Sequence, residues 1–188
     1  MKDLEEGLGP WVLKYRWLII ILSILLVLFL SCNSDHGIAP KPYVPETTGF
    51  SGRVTFIGTW PDSIQRTHVV MFKNPLLDPS DFTILNLRFI GYEIPFGVGF
   101  YTYSSADSSY FPPNGIIEAG EYSYIGVAQQ STVGLSLSRK DWIVAGVYYA
   151  DADTSQPAKL TIPENTMVRN INIICDFDNP PPQPPGGN

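Results

Sequence analysis

The 188-residue chain is poor in cysteine and histidine, with two of each, and carries only 12 Lys and Arg against 18 Asp and Glu. Two thiols exclude a disulfide-rich scaffold and a multi-thiolate metal site. Two imidazoles, His36 and His68, leave little material for Ser-His-Asp or Cys-His catalysis. A net charge of −6 gives no footprint for phosphate backbones, so no nucleic-acid partner is expected. Phosphate-cradling glycine loops are missing too. Gly97-Val98-Gly99 continues with Thr102 where a further glycine would stand, and no Gly-x-Ser-x-Gly occurs. The carboxylates Glu118 and Glu121 bracket a turn, where solvation accounts for them. No catalytic residue, metal or cofactor is therefore expected.

The chain has 44% apolar and 16% charged residues, enough to build a core. Its longest apolar run, Trp17 to Leu30, is interrupted only by Ser23. At about 1.5 Å per residue the run covers roughly 21 Å, short of a hydrocarbon core of about 30 Å. Lys14 and Arg16 precede it and Asp35 follows, with the next cation at Lys41, so the N-terminus stays cytoplasmic and the rest is exported. Residues 1–31 thus read as a signal peptide or an uncleaved signal anchor, helical in either case. Phe29-Leu30-Ser31-Cys32 resembles the lipobox of bacterial lipoproteins, a likeness confined to residues 14–32. It implies a diacylglycerol on Cys32, cleavage before it, and lipid anchoring in the cell envelope; Asn33 mildly favours the outer membrane. Residues 32–48, with Pro40, Pro42 and Pro45, form an extended tether reaching up to about 50 Å, in which His36 is solvated. At the other end, residues 180–188 run through five prolines and are expected to be disordered or to serve as a polyproline ligand.

Between these, residues 49–179 alternate with period two. Ile171, Ile173, Cys175 and Phe177 interleave with Asn170, Asn172, Asp176 and Asp178, and Leu85, Leu87 and Phe89 interleave with Asn86 and Arg88. Further strands are predicted over 52–58, 64–73, 96–104, 121–129, 142–150 and 158–162. Pro or Gly recurs every few residues, against helix. The expectation is an all-β domain, an antiparallel β-sandwich of about seven to eight half-buried strands. Gly52-Arg53-Val54, Ala119-Gly120-Glu121-Tyr122 and the closing strand Val168 to Phe177 resemble the transthyretin-like, carboxypeptidase-regulatory-like sandwiches of exported bacterial proteins, which usually show Pro-Gly-x-Tyr at the second patch. Some pilin relatives carry a Lys–Asn isopeptide bond. Asn170 and Asn172 match the acceptor, but Arg53 and Thr55 occupy the strand that would supply the lysine.

Three groups of residues stand out as candidate sites. Asp151 and Asp153 with Ser155 have the spacing that opens a calcium loop, but Gln156 and Ile162 stand where its Gly and bidentate Glu belong, so an acidic turn is expected. Cys175 alternates with core positions and reads as a buried free thiol. Ten Tyr and four Trp are more suggestive: Tyr101, Tyr103, Tyr110 and Phe111 cluster in a segment with no counterpart in the resemblance, and with Trp142 they form a possible recognition surface. The two resemblances together imply a membrane-anchored module that binds an envelope protein or, alternatively, a glycan.

Overall fold

The computed structural model describes residues 15, 17–18, 20–26, 46–107, 109–113, 116–150 and 154–187. Cys32, expected to carry the lipid, His36, the expected tether up to residue 45, the expected turn residues Asn114 and Gly115, and Asp151 and Asp153 lie outside them. The chain divides into two units, residues 1–44 and 45–188. In the first, residues 20–26 are helical and exposed. Among the described residues no helix is long and apolar enough to cross a membrane.

The second unit is built from strands, with two single-turn 3₁₀ helices at Pro79–Asp81 and Arg139–Asp141. The strands are β1 (Gly49–Ile57), β2 (Arg66–Phe72), β3 (Leu87–Gly91), β4 (Phe100–Ser104), β5 (Ser109–Phe111) and β6 (Gly120–Tyr122). They continue with β7 (Tyr124–Gln130), β8 (Trp142–Val147), β9 (Leu160–Ile162), β10 (Met167–Val168) and β11 (Ile173–Asp176). The amides of Gly49 and Arg53 bond toward the closing segment, whereas that of Phe56 bonds to the Gly99 carbonyl on the other side. β10 and β11 therefore follow one another along one edge of β1, and β4 lies on its opposite edge. The order β4, β1, β10/β11, β8, β7, β2, β3, β5 makes one mixed sheet, and β6 pairs with β9 in a separate ribbon. The outermost strands β4 and β5 are consecutive in sequence. Five peptide links between Ser104 and Ser109 reach at most about 17 Å, so the sheet has to curl until its edges approach.

The expected all-antiparallel two-sheet sandwich is corrected here. The sheet is one continuous curled layer, and β1 runs parallel to both β10 and β11. Apolar alternation fixes which face a side chain takes; it carries no information on the direction of a neighbouring strand. The closing segment kinks between β10 and β11 at Asn170, whose φ of 64° is left-handed. Gly52 permits this kink, since a Cβ there would lie 2.0 Å from the Ile171 carbonyl oxygen. Asn172 seals the gap by accepting the Arg53 amide at 3.0 Å. That use of its side chain, rather than covalent acceptance, is what the structure assigns to Asn172.

Alternation holds along the closing strand, where Ile171, Ile173 and Cys175 are buried and Asn172 and Ile174 exposed. It fails in β3. Met71 pairs with Phe89 and Phe72 with Leu87, leaving Arg88 as an extra residue. This bulge sends Leu87 and Phe89 to opposite faces of the sheet. The concave face encloses Phe50, Val69, Met71, Phe89, Ile125 and Val127, and the β6–β9 ribbon closes over it with Tyr122, Leu160 and Ile162. Tyr122 is fully buried and donates its hydroxyl to the Glu118 carbonyl at 2.6 Å, as the corner tyrosine of Greek-key sandwiches does.

The convex face is buried as well, so β2 and β7 are buried on both sides where half-buried strands are expected. Val70, Phe72, Ile90, Trp142 and Val144 form this second core. Loops cover it. Asn86, expected to face solvent, is buried and pins the 74–86 loop by accepting the Asn74 amide at 2.7 Å and donating to Asp81 at 3.0 Å. Gln130 does the same for the loop after β7, donating to the Gly134 carbonyl. Two end segments also join the domain. Glu46 accepts from the Met167 amide and Arg169, and Thr48 accepts from the Asn165 amide, although both residues fall in the expected tether. The 180–187 tail, expected to be disordered, is docked, with Pro184 buried and Gln183 bonded to β8.

Candidate functional site

The aromatic-rich stretch divides between core and surface. On β4, Tyr101 and Tyr103 point into the concave core and Phe100 and Thr102 point out, as strand alternation requires. Tyr103 is buried and donates its hydroxyl to the Ile171 carbonyl at 2.6 Å, and burial holds that hydroxyl well above the usual tyrosine range. Trp142 is buried in the convex core with its indole N–H on the Ser136 carbonyl. Phe111 packs against the same core. Of the five residues expected to form a recognition surface, Tyr103 and Trp142 are therefore structural, Tyr101 and Phe111 are half-buried, and Tyr110 alone is exposed, at 44%. The reason is register: Tyr103 lies two positions from Tyr101 on a strand whose inner face is the core, and Trp142 begins a strand covered on both faces.

Three aromatics the sequence reading passed over are exposed in their place: Tyr92, Phe96 and Phe100. Phe100 was legible, because it alternates with Tyr101. Tyr92 and Phe96 lie in the loop after β3, because the strand expected from residue 96 begins only at Phe100. Tyr92 meets Tyr110 edge to face, with centroids 5.3 Å apart and ring planes at 89°. Phe96 leans on Trp60 at 5.3 Å, and the Arg53 guanidinium covers Phe100 at 4.9 Å. Arg66 and Glu93 pair at 3.2 Å in the same region as Tyr92.

Beneath Tyr110 lies His68, which is fully buried. Its Nδ1–H donates to the Gly91 carbonyl at 3.0 Å, leaving Nε2 as a buried atom without a partner. Tyr110 and Trp142 close on the ring edge to face, at 5.4 and 6.0 Å. Desolvation holds the imidazole below its ordinary pKa, against the opposing influence of the Gly91 carbonyl and the nearby Glu93. His68 is thus a neutral packing residue with one nitrogen committed to the backbone.

The remaining chemistry-bearing groups are dispersed. Glu121 is paired with Lys159 at 2.9 Å on the surface, and Glu118 contributes its carbonyl to Tyr122. Cys175 is a buried free thiol, pushed up in pKa by desolvation. Among the described residues no three His, Cys, Asp or Glu side chains gather as a metal site. Comparison of the chain with protein-family models, with curated proteins and with solved structures finds no match in any of the three.

Proposed function

We propose that this chain is an exported lipoprotein of the bacterial envelope, anchored through Cys32, whose β-domain is a non-catalytic binding or scaffolding module related to the transthyretin-like sandwiches. The observation that carries the binding role is the exposure of the aromatics Tyr92, Phe96, Phe100 and Tyr110, of which Tyr92 and Tyr110 are in contact. Large rings left in water are the side chains that anchor protein interfaces. The perpendicular packing of Tyr92 on Tyr110 supports a protein partner over a sugar, because stacking on a pyranose needs a flat platform. The burial of the domain's lone histidine supports the non-catalytic reading. The transthyretin-like kinship is supported by the buried tyrosine in Ala119-Gly120-Glu121-Tyr122, whose hydroxyl bonds back to the Glu118 carbonyl.

Two measurements test the proposal. Mass spectrometry of the chain purified from its membrane should find an acylated N-terminal Cys32, whereas an intact, unlipidated Met1 would leave only an uncleaved anchor. Affinity capture from detergent-solubilised envelopes should retain a partner protein with the wild type and lose it with Tyr92→Ala, which leaves Tyr110 over His68, at a nearly unchanged melting temperature. Retention by the folded variant would refute this surface.

A further inference from the structure

β8 is only partly covered on its outer edge. β11 pairs with it at Gly146 and Val147, which leaves the Trp142 carbonyl and both backbone groups of Val144 facing an open slot, while the Trp142 N–H donates to the Arg139 carbonyl. In a continuous sheet a neighbouring strand would satisfy them. Here side chains do so. The Val144 amide donates to Gln183 Oε1 at 2.8 Å, and Gln183 Nε2 donates to the Val144 carbonyl at 2.8 Å. Arg139 Nη1 donates to the Trp142 carbonyl at 2.5 Å. The tail that brings Gln183 into place has prolines at 180, 181, 182, 184 and 185, none with an N–H, so it cannot form a ladder itself.

What lies under the tail is incompletely matched to it. Arg139 is 8% exposed, and among the described residues no carboxylate pairs with it. The Pro184 carbonyl accepts from Nη2 at 2.7 Å, but Nε is buried without a partner. Nε and an Nη together form the two-pronged fork that a carboxylate fills. The hydroxyl of Tyr124, also in the convex core, is likewise buried and unpartnered. Alongside runs a groove of about 520 Å³ lined by Val147, Tyr149, Ile174 and the tail residues Pro180 to Pro182.

We propose that the tail is a placeholder in a docking slot for an extended peptide segment bearing a carboxylate, which pairs with the free edge of β8 and sets its carboxylate on the Nε side of Arg139. An incoming strand offers backbone donors that the proline-rich tail lacks, and its acidic side chain fills the fork that Pro184 half fills. The slot deepens the reading of the domain as a binding module. Its test alters residues 139, 183 and 184 and leaves Tyr92 and Tyr110 in place, so failure here is distinguishable from failure of capture through those rings.

The test uses the chain ending at Asn179, solubilised in detergent, with two synthetic decapeptides: residues 179–188 as they stand, and the same with Pro184→Glu. Titration followed by tryptophan fluorescence should show the native peptide binding in trans and the acidic one binding about tenfold more tightly. Arg139→Gln in the protein should erase that difference. Equal affinities, or no binding by a shortened chain that keeps its β-type circular dichroism, would overturn the proposal. If the shortened chain does not fold, the intact chain with Gln183→Ala takes its place. It should bind the acidic peptide more tightly than the wild type does, and equal or absent binding would again overturn the slot.

Discussion

Replacing Tyr103 with Phe separates the core assignment of this residue from a surface one. The change keeps the ring and removes one oxygen, so the cavity left is negligible and the effect isolates the hydrogen bond to the Ile171 carbonyl. That carbonyl lies against Gly52, at the kink between β10 and β11, and its bond to the Tyr103 hydroxyl is buried. Leaving a buried acceptor unsatisfied costs about 1–3 kcal/mol. A urea m-value of about 2 kcal/mol/M then moves the unfolding midpoint down by roughly 0.5–1.5 M, and melting falls by several degrees. Urea titration of the detergent-solubilised chain, followed by tryptophan fluorescence, reads the midpoint directly. The partner-capture assay run in parallel should show no loss beyond the unfolded fraction. An unchanged midpoint with impaired capture would refute the reasoning, because it would mean that the hydroxyl faces water and a partner rather than Ile171.

Two further outcomes follow from buried titratable groups. His68 is neutral in the folded domain with its pKa below the unfolded value near 6.5, so the unfolded chain takes up the proton first and the stability contributed by the neutral ring is lost as pH falls from about 6.5 through the folded pKa. Urea midpoints should therefore drop between pH 7 and 5, and His68→Phe should flatten that step; a wild-type midpoint constant over this range would contradict the burial of the ring. Cys175 should resist alkylation in the native chain and react fully in urea, since burial both blocks access and raises the thiol pKa. Labelling of folded protein at the rate of a free thiol would count against its place between β1 and β8.

The sequence by itself determined the class of the domain and much of its inner face. Period-two alternation through Ile171, Ile173 and Cys175, with proline or glycine every few residues, admits little besides strands, because a 3.6-residue repeat would scatter those apolar side chains around a helix. The scarcity of histidine and cysteine likewise narrowed the chemistry before any fold was known. Local pattern is silent on whatever depends on residues far apart in the chain. The parallel pairing of β1 with the closing strands and the extra residue at Arg88 both depend on which strand lies next door. The burial of Tyr103 and Trp142, and the exposure of Tyr92 and Phe96, follow from loops that cover one face and leave another open. The docking of the tail came from the tertiary structure alone. A run of prolines reads as solvated chain until an open sheet edge, formed by residues some 40 positions earlier, presents Val144 to a single glutamine at the distance of a strand neighbour.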